Sequence, residues 1–476
     1  MLDYKAYVTE LVEKSRKAQE VAEKFSQQEV DRILATIAYS CSREEFRTKI
    51  ANMLVEESGM GNVPDKIAKM YGRVKGIYHE TKDGISCGLV EKNEQTGMST
   101  YAKPMGVIGA IIPITNGEAT QIIKTMQCLK GRNSIILAPH PKGARTNVEI
   151  ANKLRSILKS LGAPEDLVLP VEPEYVSIDS SGELMRQVDF VLATGGTPMV
   201  RAAYSSGTPT IGVGTGNATT FVDGTTDLDS VANMIMRSKT FDNATSCSTE
   251  NNVLVLEEVY ESLIAAMKRQ GGYLLKENSE ELEKLKKTLW PEWPKNHALN
   301  RQIVAQSVDT IAALAGIKIP EGTRFLITEE NEGVGDDYPF VGEKLSVITT
   351  VIRVKDFDEA LDKMEAILEY VGKGHSCGIH TVDDAKIDAM ALRMKVTKMC
   401  VNQPQSLSNS GSWENRFPKS MTLGCGTWGH NSISHNVTWR DLLNYTVVSK
   451  PISNYEPSEE MLFPAEVREF VDKNNI

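Results

Sequence analysis

From about residue 104 the chain alternates short apolar runs with segments of helical spacing. This alternation constrains the fold more tightly than any other feature. The runs are VIGAII (107–112), SIILA (134–138), DFVLA (189–193) and TIGVG (210–214). Between them lie GEATQIIKTMQCLKG and ARTNVEIANKLRSILKSLG, whose apolar residues recur at helical spacing. Apolar strands joined through amphipathic helices predict a parallel sheet covered on both faces, an α/β fold. A second alternating region predicts strands over 252–256 and 344–354, a helix over 356–371 and a short strand at 399–402. A domain boundary is expected near Lys239. The first hundred residues read as helical. One helix is announced by a capping box at Ser26 and Glu29, followed by an apolar face of Val30, Ile33, Leu34 and Ile37. Residues 88–103 alternate around Gln95-Thr96-Gly97 and read as a hairpin.

The net charge is −10, which disfavours non-specific adhesion to nucleic acid or anionic membrane. The chain begins MLDYKAYVTELVEK, whose mixed charges do not suit a signal peptide, and it contains no apolar run of about 20 residues. Its seven cysteines form no CxxC pair and show no zinc-ligand spacing, so no metal site is expected. A reducing, cytoplasmic compartment follows.

Two glycine clusters fall at the carboxyl ends of expected strands. Gly195 and Gly196 precede a helix beginning near Pro198, and Gly212, Gly214 and Gly216 lie in GVGTGN. Open parallel sheets bind ligands there, and a helix N-terminus favours phosphate. Neither cluster matches GxGxxG, so NAD, ATP and CoA all stay open. A lone cysteine is ordinarily a small buried hydrophobe, and Cys128 and Cys400 fit that. Cys247 differs: it is flanked by Thr245, Ser246, Ser248 and Thr249 at the expected boundary. Asn116, in the PITN that follows the first apolar run, is either a turn residue or an amide donor for an oxyanion.

These segments, with ESGMGNVPDK, GRNSIILAPHPKGA, GEKLS, GKGHSCGIHT and MTLGCGTWGHNSIS, run in order from residue 56 to 434. Together they resemble the aldehyde dehydrogenase superfamily. More narrowly they resemble its CoA-acylating branch, including the aldehyde dehydrogenase half of bifunctional aldehyde–alcohol dehydrogenases. The resemblance implies a Rossmann-like cofactor domain at 1–239 carrying the oligomerisation hairpin 88–103. It implies a catalytic thiol domain at 240–444 and a C-terminal β oligomerisation arm at 445–476, in a homodimer or homotetramer. It makes Cys247 the nucleophile and Asn116 the oxyanion donor. It places Thr115, Pro139, His140, Gly195, Gly196, Gly214 and Glu343 around NAD or NADP, with Glu343 on the nicotinamide ribose. The superfamily's usual ribose lysine is replaced by Ala138, which leaves NAD against NADP open. His375 either assists the thiol, contacts CoA or is structural.

Hydrolytic relatives carry a water-activating glutamate where this chain has Gly212, and no carboxylate lies between Thr208 and Phe221. Water, with a pKa of about 15.7, is a poor nucleophile, whereas a thiol with a pKa of about 8.5 is a good one. The resemblance therefore implies thiolysis by CoA. Thr245, Ser246 and Ser248 would line the acyl pocket, and their hydroxyls suit a small polar aldehyde, as in relatives acting on sulfoacetaldehyde. Arg416, His430 and Arg440 are candidates for its sulfonate. Acetaldehyde or propionaldehyde as substrate is the alternative. Another is hydrolysis to the free acid with Glu250 as base.

Overall fold

The computed structural model describes residues 2–453 and 456–476. Asn454 and Tyr455, within the expected C-terminal arm, lie outside the described residues. Four helices open the chain: Tyr4–Ala22, Gln27–Ser42, Glu44–Ser58 and Val63–Thr81. The Ser26–Glu29 capping box is formed in full. The fourth helix starts where the Asn62 side chain accepts from Asp65 N, with proline in its first turn.

Fifteen strands among the described residues then form three sheets. The hairpin β1 (Gly88–Asn93) and β2 (Met98–Pro104) is antiparallel. β3 (Val107–Ile112), β4 (Ser134–Pro139), β5 (Val168–Pro170), β6 (Phe190–Thr194) and β7 (Thr210–Val213) form a parallel sheet, ordered β5-β4-β3-β6-β7. Chain order reverses between β3 and β6, the switch point where such sheets open a ligand crevice. Helix Gly117–Lys130 is buried along its whole length between this sheet and the opening helices, packing Ile122, Ile123 and Met126 onto Ile108 and Leu137 in one core. Such an apolar side chain contributes roughly 1.5–3 kcal/mol when fully buried.

β8 (Thr219–Val222), β9 (Asn252–Leu256), β10 (Gly272–Leu274), β11 (Phe325–Glu329), β12 (Ile348–Val354), β13 (Cys377–His380) and β14 (Met399–Val401) form a parallel seven-stranded sheet, ordered β10-β11-β12-β9-β8-β13-β14. β15 (Leu443–Ser449) returns to pair antiparallel with β2. The chain thus leaves the first sheet at Val213 and enters the second at Thr219, ahead of Lys239. The expected strand over 344–354 begins only at Ile348. Lys344 turns its ammonium onto the carbonyls of Phe340, Gly342 and Asn251, and Leu345 is left-handed (φ 42), so extended backbone cannot start earlier. No helix among the described residues is long and apolar enough to cross a membrane.

Candidate active site

A cleft of about 490 Å³ opens between the carboxyl ends of the first sheet and the amino ends of the second. Thr115 and Asn116 follow β3, Pro139 and His140 close β4, Gly195 and Gly196 follow β6, and Gly214 follows β7. From the other side Thr245, Ser246 and Cys247 precede β9, Glu343 precedes β12 and His375 precedes β13. All of these line the cavity. Ser248 does not: it is fully buried, with its hydroxyl 2.9 Å from that of Ser246.

Cys247 Sγ lies 3.1 Å from His375 Nε2. The other ring nitrogen, Nδ1, is 2.8 Å from Ser376 Oγ, which accepts from Asn409 Nδ2 at 3.2 Å. The thiol thus ends a fixed polar chain. Burial pushes the Cys247 thiol up to about 12, with the Glu343 carboxylate and Cys425 adding to the effect. Burial pulls His375 down to about 3, aided by Lys398. At neutral pH the pair is therefore thiol beside neutral imidazole, and a proton must leave as the nucleophile forms. Alkylation of Cys247 by iodoacetamide, read by mass spectrometry, should then quicken roughly tenfold per pH unit from about pH 7 to about pH 10 without levelling. A plateau near neutral pH would instead mark a standing thiolate–imidazolium pair.

Asn116 is held from behind. Its Oδ1 accepts from Lys69 Nζ at 2.6 Å, while Nδ2 makes only long contacts of 3.4 Å, to Thr115 Oγ1 and the Thr245 carbonyl. A cation on the amide oxygen makes the amide N–H a better donor toward the cavity. Lys69 also pairs with Asp242 and, at 3.2 Å, with Glu118; Lys66 lies 3.0 Å from Asp242 and 3.7 Å from Glu118. All four groups are buried, and two charges of each sign compensate one another. Asp242 further accepts from Asn62 N at 2.8 Å, and its own N–H donates to Asp65 at 2.7 Å. It opens three consecutive left-handed residues, Asp242, Asn243 and Ala244 (φ 49, 52 and 61). Such backbone costs of order 1–3 kcal/mol per residue and persists only when its surroundings hold it. Here the fourth helix holds it, and the loop delivers Cys247 to the cleft.

The residues present fit a dinucleotide. Helix Thr197–Tyr204 starts at Gly196 with no side-chain cap, leaving its first N–H groups for phosphate. One Glu343 oxygen accepts from the Gly216 backbone, and Oε1 has no partner, as a ribose hydroxyl would require. Burial raises the Glu343 carboxyl to about 8. Gly216 is close-packed for a different reason: a Cβ there would lie 2.2 Å from the Cys247 carbonyl oxygen, so only glycine lets the GVGTGN loop pass behind the thiol.

Other expectations are corrected. Glu250 is fully buried, accepts from Gln405 N at 2.8 Å, and does not line the cavity. Among the described residues, Glu343 is the only carboxylate that does. Arg416 and Arg440 line a separate cavity of about 370 Å³, and His430 is exposed at the surface, so none of the three faces the thiol.

Two opposed parallel sheets, with a thiol, an amide and an uncapped helix N-terminus bordering one cleft, define the frame of a cofactor-dependent enzyme of covalent chemistry. The chain belongs to the aldehyde dehydrogenase family, which its residues 3–281 match. It is 43% identical over 454 residues to a sulfoacetaldehyde dehydrogenase (acylating) of Bilophila wadsworthia, covering 95% of this chain and 97% of the relative. Among solved structures it matches an acetylating aldehyde dehydrogenase of Geobacillus thermoglucosidasius with a TM-score of 0.90 and 35% identity, covering 96% of this chain and 98% of that one. A Rhodopseudomonas palustris propionaldehyde dehydrogenase with bound CoA and an acylated cysteine matches with a TM-score of 0.81 and 25% identity, covering 93% and 97%.

Proposed function

We propose that this chain is a CoA-acylating aldehyde dehydrogenase that oxidises sulfoacetaldehyde to sulfoacetyl-CoA, with NAD or NADP as oxidant. The observation that carries the acylating reading is a thiol and an amide donor facing one cavity where, among the described residues, the single lining carboxylate is Glu343 and the position of the water-activating base is Gly212.

Cys247 Sγ bonds to the aldehyde carbon. The oxyanion that forms is met by Asn116 Nδ2 and the Cys247 N–H, donors that strengthen as charge develops. Bound dinucleotide supplies the hydride acceptor. The carbonyl re-forms as a thioester on Sγ, and the CoA thiol attacks it, forming one C–S bond and breaking the other. His375, neutral and 3.1 Å from Sγ, is placed to pass the proton between the two sulfurs. Glu343 is placed to hold the ribose and Gly195 and Gly196 the phosphates; Pro139 and His140 border the adenosine end.

The substrate reading rests on Thr245 and Ser246 beside the thiol, whose hydroxyls favour a polar acyl group. The Bilophila relative, a sulfoacetaldehyde dehydrogenase (acylating), supports it. Met421 and Leu423 line the same cavity and favour the second reading, acetaldehyde or propionaldehyde. Exposed Leu89, Met98, Tyr445 and Val447 on the three-stranded arm support a homodimer or homotetramer joined through it.

The test is reduced-cofactor formation from sulfoacetaldehyde, acetaldehyde, propionaldehyde and succinic semialdehyde, with and without CoA. Turnover should need CoA, and kcat/KM should be highest for sulfoacetaldehyde. A neutral aldehyde ahead of it would contradict the substrate reading.

A further inference from the structure

Lys69 and Arg73 lie one helical turn apart on the same face of helix Val63–Thr81, and both line the cavity with Cys247. Their environments differ. Lys69 is neutralised by Asp242 and Glu118. Arg73 has no carboxylate partner among the described residues: its Nη1 donates only to the backbone carbonyls of Ser410, at 3.1 Å, and Gly411. No hydrogen bond engages its Nε or Nη2 among the described residues, neither atom is fully buried, and Arg73 lines the cavity. Burial without an acidic neighbour lowers its pKa to about 10, which leaves it charged at neutral pH. A half-buried cation without a counter-ion is costly unless an anion arrives to pair with it.

Resting on the acylating reading above, we infer that Arg73 binds the anionic tail of the aldehyde and so selects sulfoacetaldehyde over neutral aldehydes. The two carbonyls fix the guanidinium through one nitrogen and leave the Nε–Nη2 edge to meet two sulfonate oxygens together. Lys69 marks the oxyanion site through Asn116, and Arg73 is displaced from Lys69 by four residues, about 6 Å along the helix axis. That offset suits an anion one CH₂ from the reacting carbonyl. Ser410 lines the cavity beside the guanidinium, so the loop that anchors Arg73 also borders the acyl site.

The test compares the wild type with Arg73→Gln and Arg73→Lys on sulfoacetaldehyde and acetaldehyde. The ratio of kcat/KM values, anionic over neutral, should fall about 10- to 100-fold in Arg73→Gln, as expected for losing a charge-assisted hydrogen-bonded pair, and recover in part in Arg73→Lys. Ethanesulfonate should inhibit the wild type competitively against aldehyde and inhibit Arg73→Gln weakly. Equal losses on both aldehydes, meaning that Arg73 only props the 410–411 loop, would overturn the assignment. So would undiminished ethanesulfonate inhibition of Arg73→Gln. A wild type that prefers acetaldehyde overturns the substrate reading instead, and the ethanesulfonate comparison then judges Arg73 by itself.

Discussion

Replacing Cys247 by alanine should lower aldehyde oxidation by on the order of 10⁴-fold or more, the scale of loss when a covalent nucleophile is removed. In the proposed cycle the substrate carbon stays bonded to this sulfur from the first attack until CoA takes the acyl group. Cys425 cannot replace it: that thiol is buried and does not line the cavity. Cys377 is fully buried within β13. The alanine variant should fold, because the loop is held by Asp242 and the lysine pair rather than by the sulfur. It should also bind the dinucleotide, since Glu343 and the N-terminus of helix Thr197–Tyr204 are untouched. Cofactor binding measured by fluorescence separates lost chemistry from lost structure. A variant that keeps more than a few per cent of wild-type turnover would remove Cys247 from the mechanism.

The second large effect is expected from the medium rather than the protein. Omitting CoA should reduce steady-state turnover about 100-fold or more, because general-base activation of water contributes roughly 10²–10⁴-fold, no carboxylate is free to supply it, and His375, pulled down to about 3 by burial, is a weak base. Gly212 offers no side chain, and Glu250 is committed to Gln405 outside the cavity. Glu343, the carboxylate that does line the cavity, is the group proposed to hold the ribose and is engaged by the Gly216 backbone.

Much of this was legible in the sequence, for local reasons. The strands at 107–112 and 252–256 fall where the apolar runs end, because a strand buried on both faces leaves little choice of register. Cys247 was marked by its hydroxyl neighbours, and Asn116 by its place at a strand end. β8 escaped because TTFV is four residues long and a five-residue loop separates it from β7, with no change of composition to signal a new sheet. The contacts that make the site work were not legible, although His375 was marked as a residue that assists the thiol, contacts CoA or is structural. His375 meets Cys247 across 128 positions, and Lys69 meets Asp242 across 173. Lys66, Lys69 and Arg73 carry no mark of a site in the sequence, and only the tertiary contacts of their helix turn them inward. Arg416 and Arg440 showed the opposite error: they are close in sequence to the acyl-site loops but open onto another cavity.

The most direct test of the central claim, a thioacyl group on Cys247 resolved by CoA and not by water, is a single-turnover experiment without CoA. Enzyme, dinucleotide and sulfoacetaldehyde should give one equivalent of reduced cofactor per site in a burst. Peptide mass spectrometry should then find the acyl group on Cys247, and added CoA should discharge it as acyl-CoA. Continued turnover to free acid at the CoA-supported rate, with no adduct on Cys247, would contradict the account.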